Sequence, residues 1–415
     1  VVREQFHTPI HHFEGVVEPL ARIGAHTYLM DAARVMTAGA VDQGERPAVV
    51  SAIVKYHVTE RGRQVVNDGM DVIGGKGICL GPSNFLGLAY QQLPIGITVE
   101  GANILSRSLI IFGQGAIRCH PYVLAEMQAA RIEDTERGLQ EFDQVFWAHM
   151  RYSLFNGLRA IGHGLSGAWL ARPDAPVAPE MATYYRQLMR FSAAFACLAD
   201  AAMLSLGGSL KRRESLSARL GDILSQMYLI SATLKRYEDE GRQAADAPLA
   251  HWAIQDAFCR MQDAFDGALD NFPNRFLGVA MRLAFFPWGR PFRAPSDALA
   301  RAVADTLTQN GGARERLTAG AYIPTNVAEA VGAIEQAFQA TLQTRELDKR
   351  IREFRRSGQL DPADPRVNVR DIADAVHAAG GLSDAEHQRI IERNVLRDRV
   401  IAVDDFPMDL RSPEP

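Results

Sequence analysis

The sequence predicts a mainly α-helical protein, an antiparallel helical bundle reaching to about Tyr122 followed by a second helical domain, and three observations carry that reading. Apolar residues recur at intervals of three and four over long stretches, the pattern of amphipathic helices. Strand signals, meaning period-two alternation between tight turns, are scarce, and no repeat of fixed period is evident. A polar stretch from Met127 to Asp143 marks the change of domain and is the best candidate for a linker.

The first helix is expected over Phe13 to Met36, where Phe13, Val16, Val17, Leu20, Ile23, Tyr28 and Leu29 form one buried stripe. The second is expected over Ala48 to Ile73, stopped by Gly74-Gly75-Lys76-Gly77. After the punctuation of Gly81, Pro82 and Asn84, short helices are expected at Phe85 to Leu93 and Val99 to Phe112. In the second domain Leu216, Leu220, Ile223, Met227, Ile230 and Leu234 keep helical spacing beneath a charged face. Smaller helices are expected at Val369 to Ala379 and Asp384 to Val395, before a frayed end at Arg411 to Pro415.

Of the 415 residues, 47% are apolar and 23% charged, the composition of a globular chain with a large core and room for two or three domains. The net charge of −4 gives no electrostatic reason to expect nucleic-acid binding. Four cysteines (Cys79, Cys119, Cys197, Cys259) lie dozens of residues apart without a C-x-x-C pair, so a reducing, cytoplasmic setting is expected. No uninterrupted apolar run reaches the roughly 18–20 residues of a membrane span, and none is expected. The opening residues, Val1 to Phe6, carry neither an initiator Met nor a signal pattern and read as the interior of a longer chain.

The run Phe272 to Arg293 packs aromatic and aliphatic residues with four arginines and three prolines. Two readings stand: peripheral membrane contact, with Arg275, Arg282, Arg290 and Arg293 at headgroups and Phe276, Leu283, Phe285, Phe286 and Trp288 in the acyl boundary, or helix packing followed by a Pro-rich loop. The basic turn GGSLKRRES at 207–215 is expected to face solvent, with a phosphate contact as the other reading.

Phosphate-loop, dinucleotide-fold, zinc-protease and nucleophile-elbow motifs are absent from the sequence, and no metal site is expected. His11 and His12, being adjacent, diverge on a helix and are expected at the surface. The Lys55-Tyr56-His57 stretch fits the second helix and needs no catalytic task. One carboxylate stands apart, Glu100 in Pro94-Ile95-Gly96-Ile97-Thr98-Val99-Glu100-Gly101-Ala102-Asn103. Set at a helix start against Ile97, Val99 and an apolar substrate, it would be a usable base near neutral pH. A helix-entry Glu serving only the macrodipole is the plainer reading.

Arg3-Glu4-Gln5-Phe6-His7-Thr8-Pro9-Ile10, Ile73-Gly74-Gly75-Lys76-Gly77 and Val99-Glu100-Gly101 resemble, in order and spacing, the C-terminal helical domain of acyl-CoA dehydrogenases. AIVKYH (52–57), ITVEGANILSRS (97–108), IFGQGAIRCHPY (111–122) and GGSLKRRESLSARLGDILSQ (207–226) resemble the bacterial long-chain branch of fatty-acid β-oxidation. The resemblance covers nearly the whole chain. It implies a four-helix-bundle domain of the acyl-CoA dehydrogenase fold at residues 1–125, an additional helical domain at 126–415, FAD as cofactor and a long-chain acyl-CoA as substrate. Glu100 then matches the base that takes the α-proton while the β-carbon gives a hydride to flavin N5, leaving a trans double bond. The Glu100 N–H joins a ribityl hydroxyl in polarising the thioester carbonyl, and Gly101 keeps that approach open to substrate.

By the same resemblance Arg3 reaches the FAD pyrophosphate of a neighbouring subunit, Gln5 and Phe6 line that contact, and Asp71, Gly74 and Gly75 meet the adenine-dinucleotide half. Ala102, beside the base, also falls at a cofactor position. Shared FAD implies at least a homodimer, and an electron-transferring flavoprotein is the implied acceptor. Departures from the commoner pattern are His7 for Gly, Glu14 and Asp71 for Gln, and Ala102 and Ile104 for the Thr and Gln after the base. Asp71 and Glu14 would repel phosphate, so adenine, ribose or backbone groups are their expected partners. The family's N-terminal helical and middle β domains do not match any part of this chain, so it is expected to be inactive alone. A non-catalytic helical module for assembly or membrane docking is the competing function.

Overall fold

In the computed structural model, residues 1–6, 8–360, 372–406 and 408 are described. The chain opens on a two-stranded antiparallel hairpin, β1 (Glu4–Gln5) and β2 (Thr8–Pro9), with Glu4 opposite Pro9. The remaining described elements are helical. They run α1 (Glu14–Asp42), α2 (Ala48–Ile73), α3 (Gly87–Thr98), α4 (Asn103–Leu105), α5 (Gly115–Cys119), α6 (Val123–Ala129), α7 (Thr135–Leu165), α8 (Ala182–Leu206), α9 (Glu214–Asp239) and α10 (Ala247–Asp270). They continue as α11 (Arg275–Phe285), α12 (Asp297–Leu307), α13 (Gly312–Thr318), α14 (Ala330–Gln343), α15 (Arg345–Arg356), α16 (Ala373–Ala378) and α17 (Asp384–Ile401). Between α4 and α5 the backbone winds as a π-helix over Ser106–Gln114, a form that concentrates at functional sites.

The helices gather into two compact units. The first comprises Val1–Ile23, Gln64–Gln92 and Arg301–Pro415. Within it, Arg22 Nε and Nη2 grip the Asp68 carboxylate at 3.0 and 2.7 Å, tying the start of α1 to the end of α2. Leu347, Ile351, Leu382 and Ile390 form a local core with Val376. A capping box starts α17: the Ser383 hydroxyl accepts from the Glu386 N–H, and the Glu386 carboxylate accepts from the Ser383 N–H. The end of the chain folds back over the segment after α2, where Lys76 donates to the Val400 carbonyl and the Ser83 hydroxyl donates to Asp404 at 2.7 Å.

The second unit comprises Gly24–Arg63 and Leu93–Ala300. Its core lies between α8, α9 and α10, where Phe191, Leu198, Leu220, Ile223, Phe258 and Phe265 are fully buried. By length and composition α8 with the turn after it would suffice to cross a membrane. A third of its apolar window is buried, and there Phe191 packs on Phe258 and Phe265 while Arg190 donates to the Phe285 carbonyl at 2.8 Å.

Several expectations change. The polar stretch 127–143 is helical except for residues 130–134, because Asp134 caps α7 by accepting from the Glu136 and Arg137 N–H groups at 3.1 Å. Glu136, Arg137 and Glu141 lie on the exposed face of α7, while Arg131, Glu133 and Asp134 stay in the preceding loop. The helix expected over Phe85 to Leu93 starts at Gly87, since Asn84 Oδ1 accepts from Leu86 N and Gly87 N, and it runs past Pro94 to Thr98. The next begins at Asn103 rather than Val99, since Glu100 and Gly101 hold left-handed backbone that no right-handed helix accepts. His11 is buried, not at the surface, and its ring lies 3.9 Å from that of His12. Phe272–Arg293 divides: Met281, Phe285 and Phe292 pack inward, Arg282 pairs with Asp266 and Asp270, and Arg290 pairs with Asp263, while Phe276 and Trp288 stay exposed. Of the helix expected at Val369 to Ala379, residues 369–371 lie outside the described residues, as do Arg411 to Pro415.

Candidate functional site

In the first unit, Arg3 precedes the hairpin and its Nη1 donates to the Ile73 carbonyl at 2.7 Å. Gly74, at φ 71°, lies directly beneath: a Cβ there would sit 3.3 Å from Arg3 Nη1. Glycine is what the left-handed turn requires and what lets the guanidinium lie on the backbone. One Arg3 donor is used on Ile73, and among the described residues the rest of the fork remains for an anion. Asp71 and Gly74 line a neighbouring open cavity of about 860 Å³ with Asn67, Met70 and Tyr90. A half-buried arginine on a glycine turn beside a roomy cavity fits the phosphate and adenine side of a dinucleotide. Gln5, Gly75 and Asp71 are exposed, and Phe6 is 89% exposed at φ 54°.

In the second unit, Glu100, Gly101 and Ala102 form the turn between α3 and α4. Glu100 holds φ 53° and Gly101 φ 91°. A non-glycine residue in left-handed backbone costs on the order of 1 kcal/mol and persists where its surroundings over-determine it. Here Lys55 on α2 is the determinant. Its ammonium donates to the Ile97 carbonyl at 3.2 Å, the Gly101 carbonyl at 2.7 Å and Asn103 Oδ1 at 2.6 Å, spanning the turn from both sides. Asn103 Nδ2 in turn donates to Thr59 Oγ1 at 2.9 Å and Glu60 Oε1 at 2.8 Å, returning to α2. Glu100 itself is exposed, so the apolar enclosure expected for it is not supplied by this chain. Among the described residues its N–H makes no hydrogen bond.

Two family models match the chain: the C-terminal domain of acyl-CoA dehydrogenase over residues 2–111, and the bacterial-type C-terminal region of acyl-CoA dehydrogenase over residues 117–406. The chain belongs to the acyl-CoA dehydrogenase family. Among solved structures it is similar to a crystal structure of acyl-CoA dehydrogenase complexed with FAD from Bacillus anthracis, at 16% identity and a TM-score of 0.54. The match takes in 74% of this chain and 50% of that one, so the chain spans half the length of its structural neighbour and shares its fold.

Two features of this acyl-CoA dehydrogenase chain escaped the sequence reading. Lys55 fits an ordinary helix pattern, and its partners lie 42 to 48 positions away, beyond any local spacing. The second is a half-buried polar cluster in which one nitrogen of His120, one of His149 and an Asp200 oxygen lie within 4.8 Å of one another. His120 Nδ1 accepts from the Tyr122 and Val123 N–H groups at 3.2 Å, so its proton is on Nε2, which donates to Asp200 Oδ1 at 2.9 Å. A metal on Nε2 would force a proton onto Nδ1, against two N–H groups. The cluster is therefore a hydrogen-bond network, extended by His149 Nδ1 to Glu126 Oε1 at 2.7 Å and by the Ser153 hydroxyl donating to Asp200 Oδ2 at 2.6 Å. Burial opposes ionisation of Asp200, but the bonds from His120 and Ser153 outweigh it and hold the carboxyl below its ordinary range.

Proposed function

We propose that this protein is a long-chain acyl-CoA dehydrogenase of fatty-acid β-oxidation, converting acyl-CoA to trans-2-enoyl-CoA with FAD as cofactor and Glu100 as the α-proton base. The observation that carries this reading is the clamped turn: a carboxylate in left-handed backbone, beside a glycine, fixed by a lysine that serves the loop's carbonyls. Bound FAD supplies the hydride acceptor for the β-carbon. The Glu100 carboxylate takes the proton from the α-carbon, its N–H donates to the thioester carbonyl so that this proton becomes removable, and Gly101 lets the thioester approach the backbone. Arg3 would hold the pyrophosphate of FAD from a neighbouring subunit, with Gln5 and Phe6 lining that contact, Asp71, Gly74 and Gly75 would meet the adenine-dinucleotide half, and Ala102 is a further cofactor position beside the base.

The two family models meet between residues 111 and 117, which supports a division near residue 126 into a shared helical bundle and an added helical domain. An electron-transferring flavoprotein as acceptor, a homodimer or larger assembly, and a cytoplasmic location belong to the same reading. Exposed Phe276, Leu283 and Trp288 support peripheral contact with the inner membrane, although Arg282 and Arg290 are engaged by aspartates.

The test is anaerobic bleaching of flavin absorbance in the holoenzyme on adding a long-chain acyl-CoA. Glu100→Gln should keep its yellow colour and bind substrate while bleaching on the order of 10²–10⁴-fold more slowly. Normal bleaching by that variant would place the base elsewhere. A wild type without flavin would favour the non-catalytic module for assembly or membrane docking.

A further inference from the structure

The second unit holds a cavity of about 570 Å³ where α5, α6, α7, α8 and the turn Gly207–Arg212 converge. That lies within the roughly 300–1,000 Å³ of small-molecule sites. Its walls are largely apolar, with Ile117, Met127, Phe142, Phe146, Met150 and Leu204 among them. Leu204 is 90% exposed, and Met127 and Met150 are also exposed, so these residues line an opening rather than complete a core. The polar part of the wall is Glu126, His149, Ser153 and Asp200, which bond to one another as described and require no polar group from a ligand.

Charged groups of both signs line the cavity: Glu126 and Asp200 are engaged by His149, Ser153 and His120, and Lys211 is the cation. The turn after α8 reads Gly207-Gly208-Ser209-Leu210-Lys211-Arg212-Arg213, and Gly207, Gly208 and Lys211 line the cavity. Lys211, Arg212 and Arg213 are exposed, and among the described residues none makes an ion pair. A Cβ at Gly207 or Gly208 would meet nothing within 4 Å, so backbone here is open to approach. The turn expected to face solvent thus sets one uncommitted cation, Lys211, on the wall of an open, mostly apolar cavity, with exposed Arg212 and Arg213 next in the chain. Gly113 and Ala116, on its near wall, lie ten and thirteen residues beyond Asn103, roughly 15–20 Å along the helix from the base turn. It is a separate place from the Glu100 site.

We propose that this cavity binds a single-chain anionic amphiphile, its hydrocarbon chain against Phe142, Phe146 and Met150 and its anionic head at Lys211–Arg213. A carboxylate or phosphate head suits exposed lysine and arginine donors, and a linear chain suits a cavity whose polar wall is already satisfied. The source is either a free fatty acid or a lipid drawn from a bilayer.

Titration of the holoenzyme with radiolabelled palmitate, and separately with dodecanol of no charge, tests this. Saturable one-to-one palmitate binding is expected, weakened by salt, with dodecanol bound less tightly. Ala201→Trp, which fills the cavity from α8, should weaken binding roughly tenfold or more, with Met150→Trp as the second filling variant if the first fails to fold. Joint replacement of Lys211, Arg212 and Arg213 by Gln should remove the salt dependence, and Glu100→Gln should bind palmitate as wild type does. Cosedimentation with phosphatidylglycerol vesicles that Ala201→Trp abolishes would make a bilayer lipid the source. Absence of saturable binding, wild-type affinity in both filling variants, or vesicle binding indifferent to them would overturn the proposal.

Discussion

Lys55 is the residue on which the geometry of the candidate base depends. Its three acceptors are the last turn of α3, the carbonyl of Gly101 and the side chain that opens α4. Removing the ammonium leaves those acceptors to water and frees a turn whose Glu100 conformation is unfavourable on its own. Lys55→Met is expected to slow flavin reduction roughly 10–100-fold with substrate affinity little changed, because a base displaced by an ångström loses orientation rather than binding. Lys55→Arg should recover part of the rate. Reduction at the wild-type rate in Lys55→Met would remove Lys55 from this role. A different lysine-to-histidine distance of two positions leads to a stability effect. His57 is fully buried, and its Nδ1 accepts from Arg61 Nη1 at 2.7 Å; burial and then Arg61 push its pKa well below the ordinary value, while burial brings Arg61 down to about 10. The folded state keeps His57 neutral while the unfolded chain takes up a proton below about pH 6.5, so stability is full above that pH and falls as pH drops beneath it. The limiting slope is about 1.4 kcal/mol per pH unit. Urea midpoints between pH 5 and 7.5 should show it, with His11, pushed down to about 3 by burial, adding in the same direction; His57→Gln, which retains an acceptor for Arg61, should lessen the slope, and an unchanged slope would exclude His57 as a cause.

At the scale of elements, α11 shows how glycine sets packing. A Cβ on Gly278 would lie 2.6 Å from the Leu269 carbonyl oxygen, and one on Gly164 would lie 2.5 Å from that of Ala284. These contacts bring α11 against the end of α10 and against α7, and direct Met281 and Phe285 inward. Gly164→Ala or Gly278→Ala should therefore lower stability by about 1–3 kcal/mol, as over-packing does. Gly157, on α7 with nothing within 4 Å of its Cβ position, is the control: Gly157→Ala should be neutral or stabilise by up to about 1 kcal/mol. Thermal midpoints of the three variants decide it, and equal losses at Gly157 and Gly164 would contradict the packing argument. Helices α2 and α9 were legible because each pairs a long apolar stripe with a local stop or charged face, and Gly74–Gly77 ends α2 where its sequence says, whereas α1, read from its stripe alone, runs past the expected Met36 to Asp42. Boundaries around α3 and α4 were not, because they depend on Asn84 capping Gly87 and on two successive left-handed residues, neither of which periodicity records. Glu100 beside Gly101 stood out in the sequence and Arg3 entered through the family resemblance, while the hairpin after Arg3 was not expected because its strands are two residues each. Lys55 and the network of His120, His149 and Asp200 could not, since their partners come from helices 29 to 80 positions apart.

For the whole molecule, the proposed functions are divided between the two units. Arg3, Asp71, Gly74 and their cavity belong to the first, and Glu100 with its Lys55 clamp belongs to the second. Loss of a residue in one unit should then be separable from loss in the other. Arg3→Leu removes a charge-assisted donor set, each such bond contributing about 1.5–3 kcal/mol to holding an anion. That variant should purify with a reduced ratio of flavin to protein absorbance, whereas Glu100→Gln should retain flavin and lose only its reduction. If the pyrophosphate held by Arg3 belongs to FAD seated in a neighbouring subunit, cofactor binding and assembly are linked equilibria, and each must strengthen the other. FAD should then dissociate on dilution of the holoenzyme, and removal of FAD should shift sedimentation toward smaller species, with Arg3→Leu reproducing that shift in the presence of FAD. Flavin affinity independent of protein concentration would assign Arg3 to a cofactor bound within its own subunit and detach the cofactor from assembly.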